Sequence, residues 1–311
     1  MRSWFASTHS VPVFEGRASR RHVDAPLWRL MAQAAGHLAR SGRISGAGAS
    51  FVQFAGFPRS GHSLVGSLLD AHPDALISHE LDIMGLVSKG VPFQLITALI
   101  AANSSAFERD GRWWNGYRYA VPDAARGRRE PLKVIGDKKG DWALRRFADD
   151  PGLLERLRSM TAMRPRWLLV VRDPFDNIAT MTLRRGGAYD RLRIASDDRA
   201  TFRRGFEAAR LAGEIDTEAS DAMIEDYRNL CGAAAAMKRR VPPEDWFEIV
   251  IEDFIQDPHS GLGSILDFLR LDRERDFLDR CASVVHASPN RPCSRGNSST
   301  AWSDRHRGDT A

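Results

Sequence analysis

The sequence predicts an α/β fold of three layers, in which a central, mainly parallel sheet is flanked by helices. Apolar runs of strand length alternate along the chain with amphipathic segments of helical period. The clearest strand, residues 166–171, is continuously apolar after Arg166 rather than alternating, which is typical of a strand that is covered on both faces. Strands that alternate with helices favour parallel pairing, with helices packed on both sides of one sheet.

The composition is that of a globular protein, and its small excess of basic over acidic residues favours anionic ligands. The 311 residues include 45 Lys and Arg against 40 Asp and Glu, a formal net charge of +5. This mixed surface does not require nucleic acid as a partner. We expect one α/β domain over residues 49–287, after a loosely ordered lead-in over residues 1–48 and before a polar, disordered tail over residues 288–311.

Cysteine content and hydropathy indicate the compartment. The three cysteines, Cys231, Cys281 and Cys293, are too few and too scattered for a disulfide framework or a zinc site. The longest uncharged apolar run, residues 91–102, falls short of the roughly 18 residues that span a bilayer. Residues 1–48 lack the apolar core of a secretory signal, and Glu15 and Asp24 count against the alternative of an arginine-rich transit peptide. We therefore expect a cytoplasmic protein without a membrane span.

Residues 51–69 predict a strand, a tight loop and a helix. The loop from Gly56 to Ser63 matches the phosphate-binding template G-x-x-x-x-G-K-[ST], except that His62 replaces the lysine. The first amides of the helix and the positive end of its dipole favour an anion, and Arg59 can add a bidentate contact. Because a nucleotide triphosphatase needs the missing lysine, we predict a P-loop-like fold whose loop holds a different phosphoanhydride.

A second, shorter strand is predicted over residues 75–78, and His79 and Glu80 follow it directly. Ligands of doubly wound sheets bind at the carboxyl ends of the strands, so both side chains are expected beside the phosphate loop. Glu80 is a candidate general base, and a solvated carboxylate at a helix N-terminus is the alternative. We expect a structural role for His79.

Residues 83–102 have a helical pattern, and a segment without helical or strand period follows it. In this segment aromatic and basic residues interleave. Two interpretations stay open: an acceptor pocket walled by rings that stack on a sugar or an aromatic ring, or an aromatic plug over the core. The candidate pocket residues are Trp113, Trp114, Tyr117 and Tyr119.

A third strand is predicted over residues 132–136, and the turn after it carries two lysines. Lys138 therefore stands at another carboxyl end of the sheet. A lysine there can neutralise the charge that builds on a leaving phosphate oxygen. We interpret Lys139 as an ordinary turn lysine.

The strand over residues 166–171 leads directly into a helix, with Asp173 as its N-cap and Pro174 at its first position. Asp173 also resembles the magnesium carboxylate of a nucleotide triphosphatase, but the cap role explains it without a metal. A further strand is predicted over residues 247–254.

The end of the same strand and the helix after it supply candidates for a second phosphate site. Arg172 is the first residue after the strand, Thr180 lies two turns into the helix, and Arg184 follows four residues later. Side chains at this helical spacing can share one face. Two guanidinium groups and a hydroxyl could then converge on one anion.

Six motifs occur in one order along the chain: Pro58-Arg59-Ser60-Gly61, Asp70-Ala71-His72-Pro73, the strand-end Glu80, Gly136-Asp137-Lys138, Val171-Arg172-Asp173-Pro174 and Ile251-Glu252-Asp253-Phe254-Ile255-Gln256-Asp257-Pro258. Over residues 51–270 this order resembles sulfotransferases that use 3′-phosphoadenosine 5′-phosphosulfate (PAPS), and it is most similar to the tyrosylprotein and bacterial branch.

The resemblance implies specific roles. By this resemblance, the 5′-phosphosulfate is bound by Arg59, Ser60, Gly61, His62 and Ser63. The 3′-phosphate is bound by Arg172 and by Thr180, where the family usually has serine. Arg184 matches the pattern of the tyrosylprotein branch. Glu80 becomes the catalytic base and Lys138 the lysine near the leaving group. The implied reaction is sulfuryl transfer to a hydroxyl of a carbohydrate, a phenol or a peptide tyrosine, with no metal.

Two departures from the family pattern leave alternatives open. His62 stands where the family has threonine, and the Arg-Lys-Gly of the loop that covers the 3′-phosphate in cytosolic members is matched only by Arg295-Gly296. One alternative is a P-loop kinase or nucleotide hydrolase with Asp173 on magnesium. The other is an inactive nucleotide-binding protein in which His62 blocks the sulfate position.

Overall fold

The structure, a computed structural model, describes residues 6–15, 19–41, 45–115, 117–124, 129, 131–185, 204–205, 208–209, 211–214 and 218–285. The predicted tail over residues 288–311, with Arg295-Gly296 and Cys293, lies outside these residues.

The described chain begins with an antiparallel hairpin of strands β1 (Thr8–Glu15) and β2 (Ser19–Pro26), followed by helix α1 (Leu27–Ser41). The other elements follow in chain order: β3 (Ser45–Gly56), α2 (His62–Asp70), β4 (Ala75–Ser78), α3 (Ile83–Ser88), α4 (Phe93–Arg109), β5 (Trp113–Trp114), β6 (Tyr117–Arg118), β7 (Leu132–Asp137), α5 (Gly140–Asp149), α6 (Leu153–Met160), β8 (Arg164–Val171), α7 (Pro174–Arg185), α8 (Asp221–Lys238), β9 (Trp246–Val250), α9 (Ile251–Gln256), α10 (Pro258–Leu269) and α11 (Arg275–Ser283).

Five of the described strands form one parallel sheet in the order β4-β7-β3-β8-β9. Parallel strands end at the same edge of a sheet, so the segments that follow β3, β4, β7 and β8 are brought together. In the strand register, Asp137 of β7 pairs with Ser78 of β4 on one side and with Gln53 of β3 on the other. The residues that follow β4 and β7 therefore lie next to each other.

The two faces of β3 enter two separate hydrophobic clusters. Phe51 and Ala55 belong to the first cluster, to which α1, α4, α5 and α8 contribute. Val52 and Phe54 belong to the second, to which α2, α10 and α11 contribute. The two-residue period of a strand sends alternate side chains to opposite faces. The predicted three-layer α/β fold with a parallel central sheet is confirmed.

Residues 8–15 and 19–41 differ from the expected loosely ordered lead-in, because they form strands β1 and β2 and helix α1. Leu27, Leu30 and Ala34 are buried, and their spacing puts them on one face of α1. This face packs against α4. The apolar face is short and its partner comes much later in the sequence, so local composition does not reveal the order of this segment.

The strand predicted over residues 247–254 is too long. β9 ends at Val250, and α9 begins at Ile251. Ile251 and Phe254 are both buried. Residues three apart lie on the same side of a helical turn, whereas in a strand they would point to opposite faces. Burial of both side chains therefore selects the helix.

Two further segments differ in detail from the prediction. The helical segment over residues 83–102 is divided into α3 and α4, and Pro92 is the N-cap of α4. The segment without period forms the short antiparallel pair β5 and β6. Within the described part of the chain, no helix has both the length and the apolar character that crossing a membrane requires.

Candidate active site

The loop between β3 and α2 closes tightly before the first helical turn. Arg59 and Gly61 have left-handed backbone conformations, with φ of 68° and 98°, and the Ser60 amide donates to the Phe57 carbonyl at 3.2 Å. A Cβ atom on Gly61 would lie 2.6 Å from the Ile251 side chain, so glycine allows the loop to pack against α9. The first amides of α2 lack intrahelical partners and favour an anion here.

Glu80, two residues after β4, meets two lysines that follow β7. Lys138 donates to Glu80 Oε1, and Lys139 donates to Glu80 Oε2. The relative exposures are 5% for Glu80, 1% for Lys138 and 8% for Lys139, so the cluster is buried. Glu80 has a φ of 66°. Left-handed conformations are uncommon outside glycine and concentrate at functional sites.

Lys138 also joins this carboxylate to the phosphate loop. Its Nζ atom donates to Ser63 Oγ at 2.7 Å. The stem of Lys138 passes close to Gly66 of α2, where a Cβ atom would lie only 2.8 Å from the Lys138 Cβ. Lys139 Nζ lies 3.8 Å from Asp141 Oδ1. One lysine therefore spans the loop and the carboxylate, while the other is held between two carboxylates.

The charges of this cluster shift the pKa values of its members. Burial opposes the ionisation of Glu80, but the ammonium groups of Lys138 and Lys139 outweigh it and hold the pKa of Glu80 well below its usual range. Burial lowers the pKa of Lys138, although Glu80 opposes this shift. Burial also acts to lower the pKa of Lys139, but Glu80 and Asp141 outweigh it and raise that pKa. Glu80 is therefore ionised, as a general base must be.

Asp137, the last residue of β7, holds the turn that carries Glu80. Its Oδ1 atom accepts from Ser78 Oγ at 2.8 Å and from the Leu81 amide at 3.1 Å, and its Oδ2 atom accepts from the Ile83 amide at 3.3 Å. Burial raises the pKa of Asp137 to about 6, although these hydrogen bonds favour the ionised form. Asp137 thereby holds the Ser78 side chain before Glu80 and two backbone amides after it.

His62, the first residue of α2, lies inside the same cluster. Its Nδ1 atom is 3.2 Å from Ser60 Oγ, and its Nε2 atom is 3.8 Å from Glu80 Oε1. Burial lowers the pKa of His62. A neutral imidazole donates through one ring nitrogen and accepts through the other. His62 can therefore bridge the phosphate loop and the carboxylate without adding charge.

An aromatic group borders the cluster. His79 stacks on Phe107 with ring centroids 4.0 Å apart, and Trp114 meets His79 edge-on at 5.0 Å. Lys138 Nζ lies 5.8 Å from the centroid of the Trp114 ring. Burial lowers the pKa of His79 well below its usual value. His79 is thus a neutral packing residue, and Trp114 forms the boundary of the charged cluster.

The four aromatic residues predicted as acceptor contacts have different positions. Trp114 is buried beside the cluster, and Trp113 is half-buried. The Tyr119 ring centroid lies 6.5 Å from that of His79. Tyr117 is 38% exposed. The structure thus brings Trp114 and Tyr119 toward the site and leaves the Tyr117 side chain largely at the surface.

The second predicted phosphate site lies beside the first loop. Arg172 Nη1 donates to Thr180 Oγ1 at 3.1 Å and to the Arg59 carbonyl at 3.3 Å. Arg184, in the last turn of α7, follows Thr180 by one helical turn and is half-buried. Asn177 Nδ2 donates to the Pro58 carbonyl at 2.9 Å. The start of α7 is thereby attached to the phosphate loop.

Asp173 serves as the cap of α7. Its Oδ1 atom accepts from the amides of Phe175 and Asp176 at 3.0 and 3.1 Å. The Asp173 amide donates to Glu252 Oε1 at 3.1 Å. The predicted N-cap role is confirmed. Among the residues that the structure describes, no group of three His, Cys, Asp or Glu side chains is placed to hold a metal ion.

Comparison with known families identifies the protein class. The sequence model described as "Sulfotransferase family" matches residues 52–275, more than two thirds of the chain. The chain belongs to the sulfotransferase family. It is therefore an enzyme of sulfuryl transfer, and the predicted resemblance is confirmed. The match includes every candidate site residue from Arg59 to Arg184, and it begins after the β1–β2 hairpin and α1. A comparison with curated proteins found no significant match.

Solved sulfotransferase structures are similar to this sulfotransferase at low sequence identity. STF9 from Mycobacterium avium is 12% identical, with 83% of this chain and 74% of that chain covered and a TM-score of 0.43. The sulfotransferase domain of the curacin biosynthetic pathway is 15% identical, with coverages of 75% and 77% and a TM-score of 0.39. Mouse SULT7A1, complexed with PAP, is 15% identical, with coverages of 82% and 71% and a TM-score of 0.35.

Sequence reasoning missed several residues of the candidate site: Asp137, Lys139, Asn177 and His22, which contacts Glu80 from the β1–β2 hairpin. The sequence position of Asp137 did indicate a role in the site, because a carboxylate at the end of a buried parallel strand needs hydrogen-bond donors. The interpretation of Lys139 as an ordinary turn lysine is wrong, because its side chain is buried against Glu80. Its position directly after Lys138 at a strand end was the only sequence indication. His22 had no local signal.

Proposed function

We propose that this sulfotransferase transfers the sulfuryl group of PAPS to a hydroxyl acceptor, with Glu80 as the general base. The observation that carries the proposal is the double contact of Lys138, which donates both to Ser63 of the phosphate loop and to Glu80. A single side chain thus links the expected position of the donor phosphosulfate to the expected position of the acceptor hydroxyl. Proximity of this kind is what a direct group transfer requires.

The donor would be held at two anion sites. The first consists of the loop and the first turn of α2, with Arg59, Ser60, Gly61, His62 and Ser63. The second consists of Arg172, Thr180 and Arg184. The hydrogen bond from Arg172 to the Arg59 carbonyl joins the two sites, which supports one ligand that carries phosphate groups at both ends.

In the proposed step, the acceptor oxygen attacks the sulfur atom and a new S–O bond forms. The bond between sulfur and the 5′-phosphate oxygen breaks, and the phosphate leaves with the bonding electrons. Glu80 takes the acceptor proton, and Lys138 offsets the charge on the leaving oxygen. General-base assistance of this type contributes about 10²- to 10⁴-fold in rate. The step as proposed uses no metal.

Movement of Lys138 toward the donor would also activate the base. Glu80 has two lysine partners in the structure, and their charges lower its pKa. When Lys138 turns to the leaving oxygen, Glu80 keeps Lys139 but loses one cation. The pKa of Glu80 then rises, and the carboxylate becomes a stronger base at the moment the donor is bound.

The site geometry gives less support to the two alternatives. A kinase or nucleotide hydrolase needs a lysine at residue 62 and a free carboxylate for magnesium, whereas residue 62 is histidine and the Asp173 carboxylate caps α7. An inactive binding protein would need His62 to fill the sulfate position. His62 instead lies within reach of both Ser60 and Glu80, where it can serve as a ligand.

The experiment incubates the purified protein with radiolabelled PAPS and a panel of phenols, sugars and tyrosine peptides, and follows the transferred label. Parallel samples contain a chelator, or ATP and Mg²⁺ in place of PAPS. We expect labelled product from at least one hydroxyl acceptor, with and without chelator. Binding of the 3′,5′-bisphosphate nucleotide without transfer to any acceptor would instead support the inactive alternative. Turnover of ATP that needs Mg²⁺ would support the kinase or hydrolase.

A further inference from the structure

The β1–β2 hairpin is attached beside the active site. His9 Nε2 donates to the Leu81 carbonyl at 2.7 Å, and Lys89 donates to the Thr8 carbonyl. Both contacts involve the chain that follows Glu80. His9 is buried in this position, with 1% exposure. The hairpin is therefore held against the segment that carries the candidate base.

One face of the hairpin meets the aromatic boundary of the site. His22 pairs with Pro12 across the hairpin, and Phe14 follows Pro12 by two residues, so Phe14 and His22 share a face. The Phe14 ring centroid lies 5.9 Å from that of Trp114, and the His22 centroid lies 5.8 Å from it. Phe14 also packs on Phe107 at 5.0 Å. This packing determines where the His22 imidazole is placed.

His22 contacts the candidate base directly. Its Nε2 atom lies 3.5 Å from Glu80 Oε2, the oxygen that also accepts from Lys139. Among the residues that the structure describes, the other charged or titratable partners of this carboxylate are Lys138 and His62, both on Oε1. The His22 side chain is 30% exposed, against 7% for Glu80. His22 is therefore a partly solvent-exposed partner of the buried Glu80 carboxylate.

We propose that His22 is a positioning residue for Glu80, which makes the N-terminal hairpin a part of the active site. The proposal rests on the proposed function, because it assigns His22 a role through the base. Lys138, Lys139 and His62 lie within the matched family region, residues 52–275, whereas His22 lies outside it. When Lys138 turns to the donor, Lys139 and His22 hold Oε2 and leave Oε1 directed to the acceptor hydroxyl.

The test compares His22→Ala, His22→Gln and the control Asp24→Ala, which changes an exposed residue of the same hairpin. We expect His22→Ala to lower kcat about ten- to a hundredfold, the loss of one hydrogen bond to a charged group, and to leave the KM for PAPS unchanged. His22→Gln should restore most of kcat, because its amide can donate to the same oxygen. Asp24→Ala should behave as the unmodified protein.

A double-mutant cycle separates this proposal from the proposed function. In a Glu80→Gln background, His22→Ala should have no further effect on kcat, because its role depends on the carboxylate. An unchanged kcat in His22→Ala, or an equal loss in both backgrounds, would overturn the proposal. Full activity of Glu80→Gln alone would instead remove Glu80 as the base. Thermal unfolding of each variant checks that the fold is retained.

Discussion

The Nζ atom of Lys138 lies 2.7 Å from Ser63 Oγ, so the lysine after β7 is in contact with the phosphate loop after β3. The same ammonium group donates to Glu80 after β4. Because these strands are neighbours in the order β4-β7-β3, the sheet itself brings the three side chains together. The position of the candidate chemistry thus follows from the topology.

Lys138→Met should lower kcat by about 10²- to 10³-fold, the usual cost of removing one donor that stabilises developing charge. Methionine keeps the apolar stem next to Gly66, so packing is preserved while the charge is lost. Steady-state kinetics at saturating PAPS measures the effect. Lys133→Met, at a half-exposed position on β7, is the control and should retain full activity. A kcat of Lys138→Met close to that of the control would exclude Lys138 from the chemical step.

Arg172→Ala should weaken binding of the 3′,5′-bisphosphate nucleotide by about 1.5 to 3 kcal/mol, the worth of a hydrogen bond to a charged group. Isothermal titration calorimetry measures the change. Arg228→Ala, which removes a guanidinium that is 75% exposed on α8, should bind the nucleotide normally. If both variants bind as tightly as the unmodified protein, the second phosphate site is not at Arg172.

Asp70→Ala should destabilise the fold by about 3 to 5 kcal/mol, because it leaves a buried guanidinium without its main partner. Arg112 Nη1 lies 2.8 Å from Asp70 Oδ2, and the side chains are 5% and 1% exposed. Asp70 also accepts from the Ile77 amide at 2.7 Å. Urea unfolding measures the loss. Asp267→Ala breaks an exposed pair with Arg273 and should cost less than about 1 kcal/mol.

The pKa of Asp137 predicts a pH dependence of stability. Its folded value is raised from 3.8 to about 6, so between these values the folded protein binds more protons than the unfolded chain. This contribution to the free energy of unfolding is present below pH 3.8 and is lost as the pH rises through 6, by about 3 kcal/mol in total.

The measurement is urea unfolding of the unmodified protein and of Asp137→Asn at pH 4, 5, 6, 7 and 8, where the buffer values are chosen to bracket this transition. The difference in unfolding free energy between the two proteins removes the contributions of other groups. We expect the unfolding free energy of Asp137→Asn, relative to that of the unmodified protein, to increase as the pH rises. A difference that is independent of pH would show that the Asp137 carboxyl does not titrate in this range.

Local sequence was sufficient to predict the elements that carry the proposed donor site. Neighbours within a few residues determine three features: the apolar strand before Gly56, the turn through Gly61 and the helix N-cap at Asp173. Propensity, turn chemistry and capping act over that range. The strand ends at Glu80 and Lys138 could be predicted for the same reason, and the parallel arrangement of strands then put them at one edge of the sheet.

The parts that could not be predicted depend on contacts between distant segments. Lys139 is buried because Glu80, far from it in sequence, supplies a carboxylate. The β1–β2 hairpin is ordered by its contacts with Trp114 and Leu81, which no local pattern indicates. The strand that ends at Val250 stops early because burial of Ile251 against the phosphate loop favours a helical turn.

The role of Glu80 as general base is tested by the rate of a single turnover in Glu80→Gln, measured with enzyme in excess over radiolabelled PAPS and with an acceptor identified in the panel. Glu155→Gln, which makes the same change at a side chain that is 73% exposed, is the control. We expect the rate of sulfuryl transfer to fall by at least about 10²-fold in Glu80→Gln, with affinity for the bisphosphate nucleotide retained. Equal single-turnover rates in Glu80→Gln and Glu155→Gln would contradict the assignment of Glu80 as the base.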